Sequence, residues 1–260
     1  MASSYERFGL NLAPDLSIGT MPMSPRALKA SRMSLMCSIF KTGRFRHSLW
    51  LGALLVALAG CASTPAPRFE GLPDRVELKS VPFFRGNAYQ SGPGTLASLL
   101  ASHQVQVTPG LLDKPLQLPA GEDRLEQSMP RVAREYGFLV YPLNPELEAL
   151  LAQVAAGYPV MVRYSDGSAW WKSPRYATLV GYDRFKQTVL VNSGMYRRAA
   201  MSFGDFKSAW KDAGSWAVLI QSPRQIPAGV DRQRWLEAAR ELSQAGQQQA
   251  AEEAVKSLAR

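Results

Sequence analysis

Apolar positions recur with helical spacing early in the chain and with strand spacing later. The run at 93–102 places Leu96, Leu99 and Leu100 on one helical face. The run at 175–182, rich in Leu, Val and Tyr, favours a strand. The remaining predicted elements are helices at 121–136, 145–156 and 202–211, and strands at 76–84, 138–141, 159–164, 188–192 and 215–220. Helices that precede an antiparallel sheet predict an α+β domain.

The C-terminal segment has a different pattern, with two amphipathic helices at 231–244 and 247–259 that meet at Gly246. The stretch WLEAARELSQAGQQQAAEEAVKSLA resembles one tetratricopeptide repeat, with small residues where paired helices touch. Because a single repeat cannot bury its own face, this hairpin either packs on the main domain or awaits a partner. A plain helical hairpin without a binding role is the alternative.

Residues 41–61 combine a basic start, a short apolar core and the sequence Leu-Ala-Gly-Cys. The core is too short to span a bilayer, and the order is that of a secretory signal. The ending resembles the bacterial lipobox, which implies acylation of Cys61. Because Ala62 follows the cysteine, the resemblance favours the outer membrane, facing the periplasm. An ordinary transmembrane anchor is the alternative.

These features divide the chain into four parts. Residues 1–60 are expected to be a leader and signal peptide, of which 1–32 would be disordered or untranslated. Residues 61–75 form a Pro-rich tether, 76–222 the main domain and 229–260 the hairpin.

The charge and cysteine content of the chain limit the functions that it can have. Residues 1–60 hold seven Lys and Arg against two acidic residues, so the net charge of the remainder is +4 rather than +9, which gives nucleic-acid binding no support. The cysteines are Cys37 and Cys61, so the predicted domain has no thiol and no disulfide. No acidic residues stand at metal-ligand spacing, and neither a metal nor a cofactor is predicted.

The stretch AYQSGPGTLASLL, at 88–100, looks like the start of a catalytic helix. Pro93 near its beginning marks a helix N-terminus. Ser91 is then a nucleophile, a helix cap or the replacement of a lost cysteine.

Four stretches resemble the bacteriocin-processing type of papain-like cysteine peptidase: VPFF, YQSGPGTLASLL, RYATLVGYD and TVLVNSG. The resemblance runs from about 81 to 220 and implies a papain-like fold, with N-terminal helices packed on an antiparallel sheet and a helical hairpin after it. That family uses a cysteine at a helix start, a histidine base, an Asp or Asn that orients the histidine, and a glutamine for the oxyanion.

The resemblance carries these four positions onto Ser91, Arg175, Asn192 and Gly86, so the catalytic positions are degenerate. A serine needs a base, and Arg175 stays protonated. His103 lies about 18 Å along the same helix. Lys172, in a predicted loop, is the other conceivable base.

Arg175 instead suggests binding. It would hold a carboxylate or phosphate, or form an internal ion pair with Asp166 or Asp183. Trp170 and Trp171 in a polar loop, together with Gln90 beside Ser91, complete the predicted binding residues.

The resulting prediction is a lipid-anchored envelope protein whose inactive peptidase-like domain binds a peptide or protein partner. A peptidase that uses Ser91 or an unrecognised nucleophile is one alternative, and a structural envelope lipoprotein is the other.

Overall fold

A computed structural model describes residues 71–87, 90–168 and 171–259. The leader, Cys61 and most of the tether lie outside these residues. The described part confirms the predicted α+β class, because helices pack on both faces of one antiparallel sheet. None of its helices has the length and apolarity that crossing a bilayer requires.

Seven α-helices and one short 3₁₀ helix are present in the described residues. The 3₁₀ helix, Glu122–Arg124, leads directly into α3. The α-helices are α1 (Ser91–Ser102), α2 (Pro109–Leu112), α3 (Leu125–Glu135), α4 (Leu147–Ala155), α5 (Phe203–Asp212), α6 (Arg232–Gln244) and α7 (Gln248–Ser257).

The sheet has the strand order β2-β7-β3-β4-β5-β6, with β1 paired to the last part of β4. Every pairing in it is antiparallel. The strands are β1 (Arg75–Glu77), β2 (Leu139–Pro142), β3 (Val160–Ser168), β4 (Trp171–Asp183), β5 (Thr188–Ser193), β6 (Tyr196–Ser202) and β7 (Ala217–Gln221).

Strands β3 and β4 are longer than their apolar runs predict. The predicted polar loop around 166–173 is wrong, because the ladder continues from Val160↔Leu179 out to Ser168↔Trp171. A two-stranded ribbon satisfies its backbone hydrogen bonds without burying a face, so polar side chains do not end it. Trp170 lies outside the described residues, and only the backbone of Trp171 is described.

Other elements also differ in their boundaries from those predicted from the sequence. The strand predicted at 76–84 is confined to β1, while β6 was not predicted at all. Its residues are mostly exposed or half-buried and so lack the apolar alternation that marks a strand. Helix α3 begins at Leu125, later than the predicted start at 121, and continues through Pro130.

Two apolar cores lie on opposite faces of the sheet. Helices α1 and α3 cover one face, where Met161 and Tyr176 point toward them. Helices α4, α5 and the C-terminal hairpin cover the other, where Val160 and Val162 contribute. This alternation along β3 is the two-residue period of a strand buried on both faces.

The C-terminal hairpin, formed by α6 and α7, packs on the domain. Trp235 is fully buried in the same apolar cluster as the sheet, and its Nε1 donates to the carbonyl of Ala254 at 2.8 Å. The segment before the hairpin is held by Gln153, whose carboxamide exchanges two hydrogen bonds with the backbone of Ala228, at 2.8 and 2.9 Å. The hairpin therefore buries its apolar face against its own chain.

Trp235→Ala is expected to destabilise the domain by about 3–5 kcal/mol, because it opens a cavity in a core that the sheet shares. Urea unfolding followed by circular dichroism should give one transition with a lowered midpoint. Gln233→Ala, an exposed position on the same helix, is the matched control and should stay within about 0.5 kcal/mol. Two transitions, of which Trp235→Ala changes only one, would contradict the shared core.

Candidate functional site

Ser91 is the first residue of α1 and is 6% exposed. Its Oγ accepts a hydrogen bond from the backbone N–H of Tyr176 on β4, at 3.3 Å. The capping interpretation is wrong, because Gln90 holds the N-cap position and no side chain caps the helix. The hydroxyl instead joins the start of α1 to the sheet.

His103 caps the opposite end of α1, as its sequence position predicts. Its Nε2 lies 2.9 Å from the carbonyl oxygen of Ile220, and its ring is 4.8 Å from that of Phe138. Burial lowers the pKa of His103, and the contact with the Ile220 carbonyl acts in the opposite direction. His103, the histidine of the described residues, is therefore a packed residue, remote from Ser91.

Lys172 does not supply a base either. It lies in β4 and not in a loop, and it forms an ion pair with Asp212 at the end of α5. The ammonium group is thus engaged with a carboxylate of α5, whereas the hydrogen bond of Ser91 is to the backbone of Tyr176.

Arg175 precedes Tyr176 on β4, and its Nε lies 3.3 Å from Oδ2 of Asp166 on β3. The atoms are within ion-pair distance but not aligned for a hydrogen bond, since Nε of Arg175 has no hydrogen-bond partner. Of the predicted internal partners, Asp166 is the one that the structure brings to this guanidinium. Asp183, at the other end of β4, accepts from the N–H of Lys186.

A small pocket brings together the other sequence-predicted positions. Gly86, Gln90, Ser91 and Asn192 all line it. Its volume of about 10 Å³ is at the lower limit of what holds one water. A Cβ added at Gly86 would lie 2.9 Å from Cβ of Gln90, so the Gln90 side chain covers the space next to residue 86.

Asn192 is committed to a backbone contact. It pairs with Thr178 across the β4–β5 ladder, and its Oδ1 accepts from the N–H of Arg198 at 2.8 Å. This bond holds the β5–β6 hairpin together, and Asn192 has no hydrogen bond to Arg175 among the described residues. The arrangement differs from one in which an amide orients a base.

A larger groove also has Ser91 in its lining. Its first part, of about 470 Å³, is lined by Ser91, Arg175 and Tyr176 on one side and by Glu122 and Asp123 on the other. We call this part the Ser91 lobe.

A second part, of about 510 Å³, is lined by Trp216, Leu143, Pro130, Pro142 and Arg134, among others. We call it the Trp216 lobe. Trp216 is half-buried, and its ring meets that of Tyr176 edge-on with 5.8 Å between centroids.

The ion pair between Arg163 of β3 and Glu126 of α3 separates the two lobes, and both residues line both of them. Nη1 of Arg163 donates to Oε1 of Glu126 at 2.6 Å. Sequence reasoning missed both residues. The available signal was a lone arginine in the apolar strand VMVRY, where a half-buried charge demands a partner.

Tyr176 lines the Ser91 lobe as a neutral phenol. Burial raises the pKa of Tyr176, and the nearby Arg163 guanidinium lowers it by a smaller amount. The phenol therefore keeps its proton at physiological pH and does not act as a base. Among the described residues there is also no group of His, Cys, Asp and Glu side chains that would hold a metal ion.

Comparisons with known proteins give a likeness of fold. No protein-family model and no curated protein matches this chain. Among solved structures, a protein described as a C39-like peptidase from Bacillus anthracis is similar, with 16% identity and a TM-score of 0.44 over 57% of this chain and 98% of that one.

The peptidase domain of Streptococcus ComA, a bifunctional ABC transporter involved in a quorum-sensing pathway, is also similar. It has 15% identity and a TM-score of 0.40 over 54% of this chain and 96% of that one. Both likenesses concern the fold at low identity, and neither bears on individual site residues.

Proposed function

We propose that this chain is a lipid-anchored envelope protein whose peptidase-like domain binds an extended peptide or protein segment without cleaving it. The observation that carries the proposal is the environment of Ser91. Its hydroxyl is almost fully buried, accepts from a backbone N–H and lies in a groove whose neighbouring cation is an arginine. Nucleophilic attack by serine needs a base within hydrogen-bond reach, and a guanidinium cannot accept a proton.

The open groove supports binding. The two lobes adjoin at Glu126 and Arg163, which line both, and together they present polar donors, acidic side chains and an aromatic floor. Concave surfaces that combine apolar walls with a few polar groups are typical binding sites.

Two alternatives lead to different expectations. A peptidase that uses Ser91 is favoured by the position of this residue at a helix start beside a groove. A purely structural lipoprotein is favoured by the pocket around Gly86 and Asn192, which the protein's own side chains fill.

The first prediction concerns cleavage. Purified protein incubated with a mixture of unstructured peptides should leave them intact, because Ser91 lacks a base. Mass spectrometry of the mixture would measure this, with Ser91→Ala as the matched variant. Cleavage by the wild type that Ser91→Ala abolishes would establish the peptidase instead.

The second prediction concerns the groove. Selection of a random dodecapeptide library on the immobilised protein should enrich ligands that Ser173→Trp no longer binds, because a tryptophan at this exposed position fills the Ser91 lobe. Gln233→Trp, on the hairpin, is the control and should retain binding. If a folded wild type enriches nothing, the structural lipoprotein becomes the better description.

The third prediction concerns the anchor, which rests on the signal sequence because Cys61 lies outside the described residues. Cells fed an alkyne-labelled fatty acid should label the wild type and Cys37→Ser but not Cys61→Ser, which should leave the membrane fraction. Stable anchoring needs more than one acyl chain, each stabilised by about 0.8 kcal/mol per buried CH₂. Labelling of Cys61→Ser would contradict the proposed anchor.

A further inference from the structure

We infer that the groove selects an extended segment with a Lys or Arg in the Ser91 lobe and an apolar side chain about three residues away in the Trp216 lobe. This inference rests on the proposed function and specifies its ligand. It follows from the charges of the lobes, their free hydrogen-bonding groups, the apolar floor and the distance between strands.

The arginine charges of the groove are compensated by neighbouring carboxylates. Its three arginines are each paired with a carboxylate from another element: Arg175 with Asp166, Arg163 with Glu126 and Arg134 with Glu241. These guanidinium groups are therefore neutralised and poorly suited to an anionic ligand.

Two other carboxylates line the Ser91 lobe and are left without such a pairing within the described part of the chain. Glu122 is half-buried and Asp123 exposed, and neither has an ion-pair partner among the described residues. The neighbouring Arg124 lines a different pocket, on the side of Gln117. The Ser91 lobe is therefore acidic, which favours a cationic side chain.

The groove also offers hydrogen-bond donors to a ligand. Each guanidinium has five N–H donors, of which its carboxylate uses only some. Ser91 adds a buried hydroxyl that accepts from Tyr176, while no described residue accepts its hydrogen. Donors without net charge suit the carbonyl groups of an extended main chain, since a neutral acceptor does not require a free cation.

The floor of the Trp216 lobe is an aromatic ring that its neighbours hold in place. The ring of Trp216 is backed by Tyr176, and the carbonyl of Trp216 accepts hydrogen bonds from Nε1 of Trp210 at 2.9 Å and from the N–H of Arg163 at 3.2 Å. These bonds hold the backbone of the floor in place, and Leu143, Pro130 and Pro142 form apolar walls around it. A preorganised apolar surface binds an apolar side chain with little ordering cost.

The distance between the two lobes sets the spacing of the two side chains in the ligand. Tyr176 on β4 lies opposite Arg163 on β3, and Arg163 bonds to Trp216 beside β7. The lobes are thus two strand spacings apart, roughly 10 Å at about 4.8 Å per strand. A segment in the extended polyproline II conformation covers that distance in three residues at about 3.1 Å each, and its three residues per turn place both side chains on the same side.

The test uses the full mature chain and the fluorescein-labelled decapeptide GSGKSGFGSG, with binding measured by fluorescence anisotropy at low ionic strength. Matched probes replace Lys with Glu, replace Phe with Ser, or make Lys and Phe adjacent. Loss of the phenyl ring should weaken binding about tenfold or more. Replacement of Lys by Glu should weaken binding by about twofold to fivefold, the range of an exposed charge pair. The adjacent pair should bind no better than the probe that lacks Phe.

A charge exchange keeps the test independent of any loss of stability. Asp123→Lys should abolish the preference, so that the Lys and Glu probes bind about equally, because the remaining carboxylate of Glu122 balances the new ammonium group. Glu148→Lys, at an exposed position of α4 across the sheet, makes the same change in net charge and should leave the preference unaltered.

The outcomes separate the two proposals. Equal binding of Lys and Glu probes by the wild type, or an unchanged preference in Asp123→Lys, overturns the inference while peptide binding stands. Absence of binding by every probe, together with failure of the random library, overturns both.

Discussion

The register of β3 against β4 is the constraint on which the site depends. It places Arg163 beside Tyr176 on the face that α1 and α3 cover, and Tyr164 beside Arg175 on the opposite face. A slip of one residue would exchange the two faces and take Arg163 away from Glu126 of α3. The extended polar end of the ladder, out to Ser168, adds backbone pairs that stabilise this register without a buried face.

The groove combines features of a catalytic site with groups that already have partners. Ser91 stands at a helix start, but its oxygen is bonded to the backbone of Tyr176. Arg175 stands where the family resemblance expects a base, but it remains charged and lies beside Asp166. Paired cations and occupied acceptors favour stable contacts with a ligand over proton transfer, which requires a group that exchanges its proton near neutral pH. These contacts are the basis of our proposal that the domain binds a segment without cleaving it.

The C-terminal hairpin takes part in this groove as well as in the core. Glu241 of α6 forms an ion pair with Arg134 of α3, and both residues line the Trp216 lobe. On its inner side the hairpin buries Trp235 and Leu242 in the cluster under the sheet. Because one helix contributes to both the core and the groove wall, a change in hairpin packing would alter the shape of the Trp216 lobe.

The amino-acid sequence by itself determined most helices and strands, including the helix start near Pro93 and the strand around 175–182. These elements are readable because apolar spacing reflects which face of a local segment is buried. It also placed His103 at the far end of α1, which depends only on helix length. The strand β6 and the outer end of the β3–β4 ladder escaped prediction because backbone pairing, not an apolar pattern, defines them.

Only the tertiary structure decided what the site residues contact. The partner of Ser91 is 85 residues away in Tyr176, and that of Arg163 is 37 residues away in Glu126. Periodicity carries no record of such pairs, since it identifies the buried face of a segment but not what covers that face. The groove, the neutralised arginines and the Trp216 floor arise from the way α1, α3 and the sheet come together.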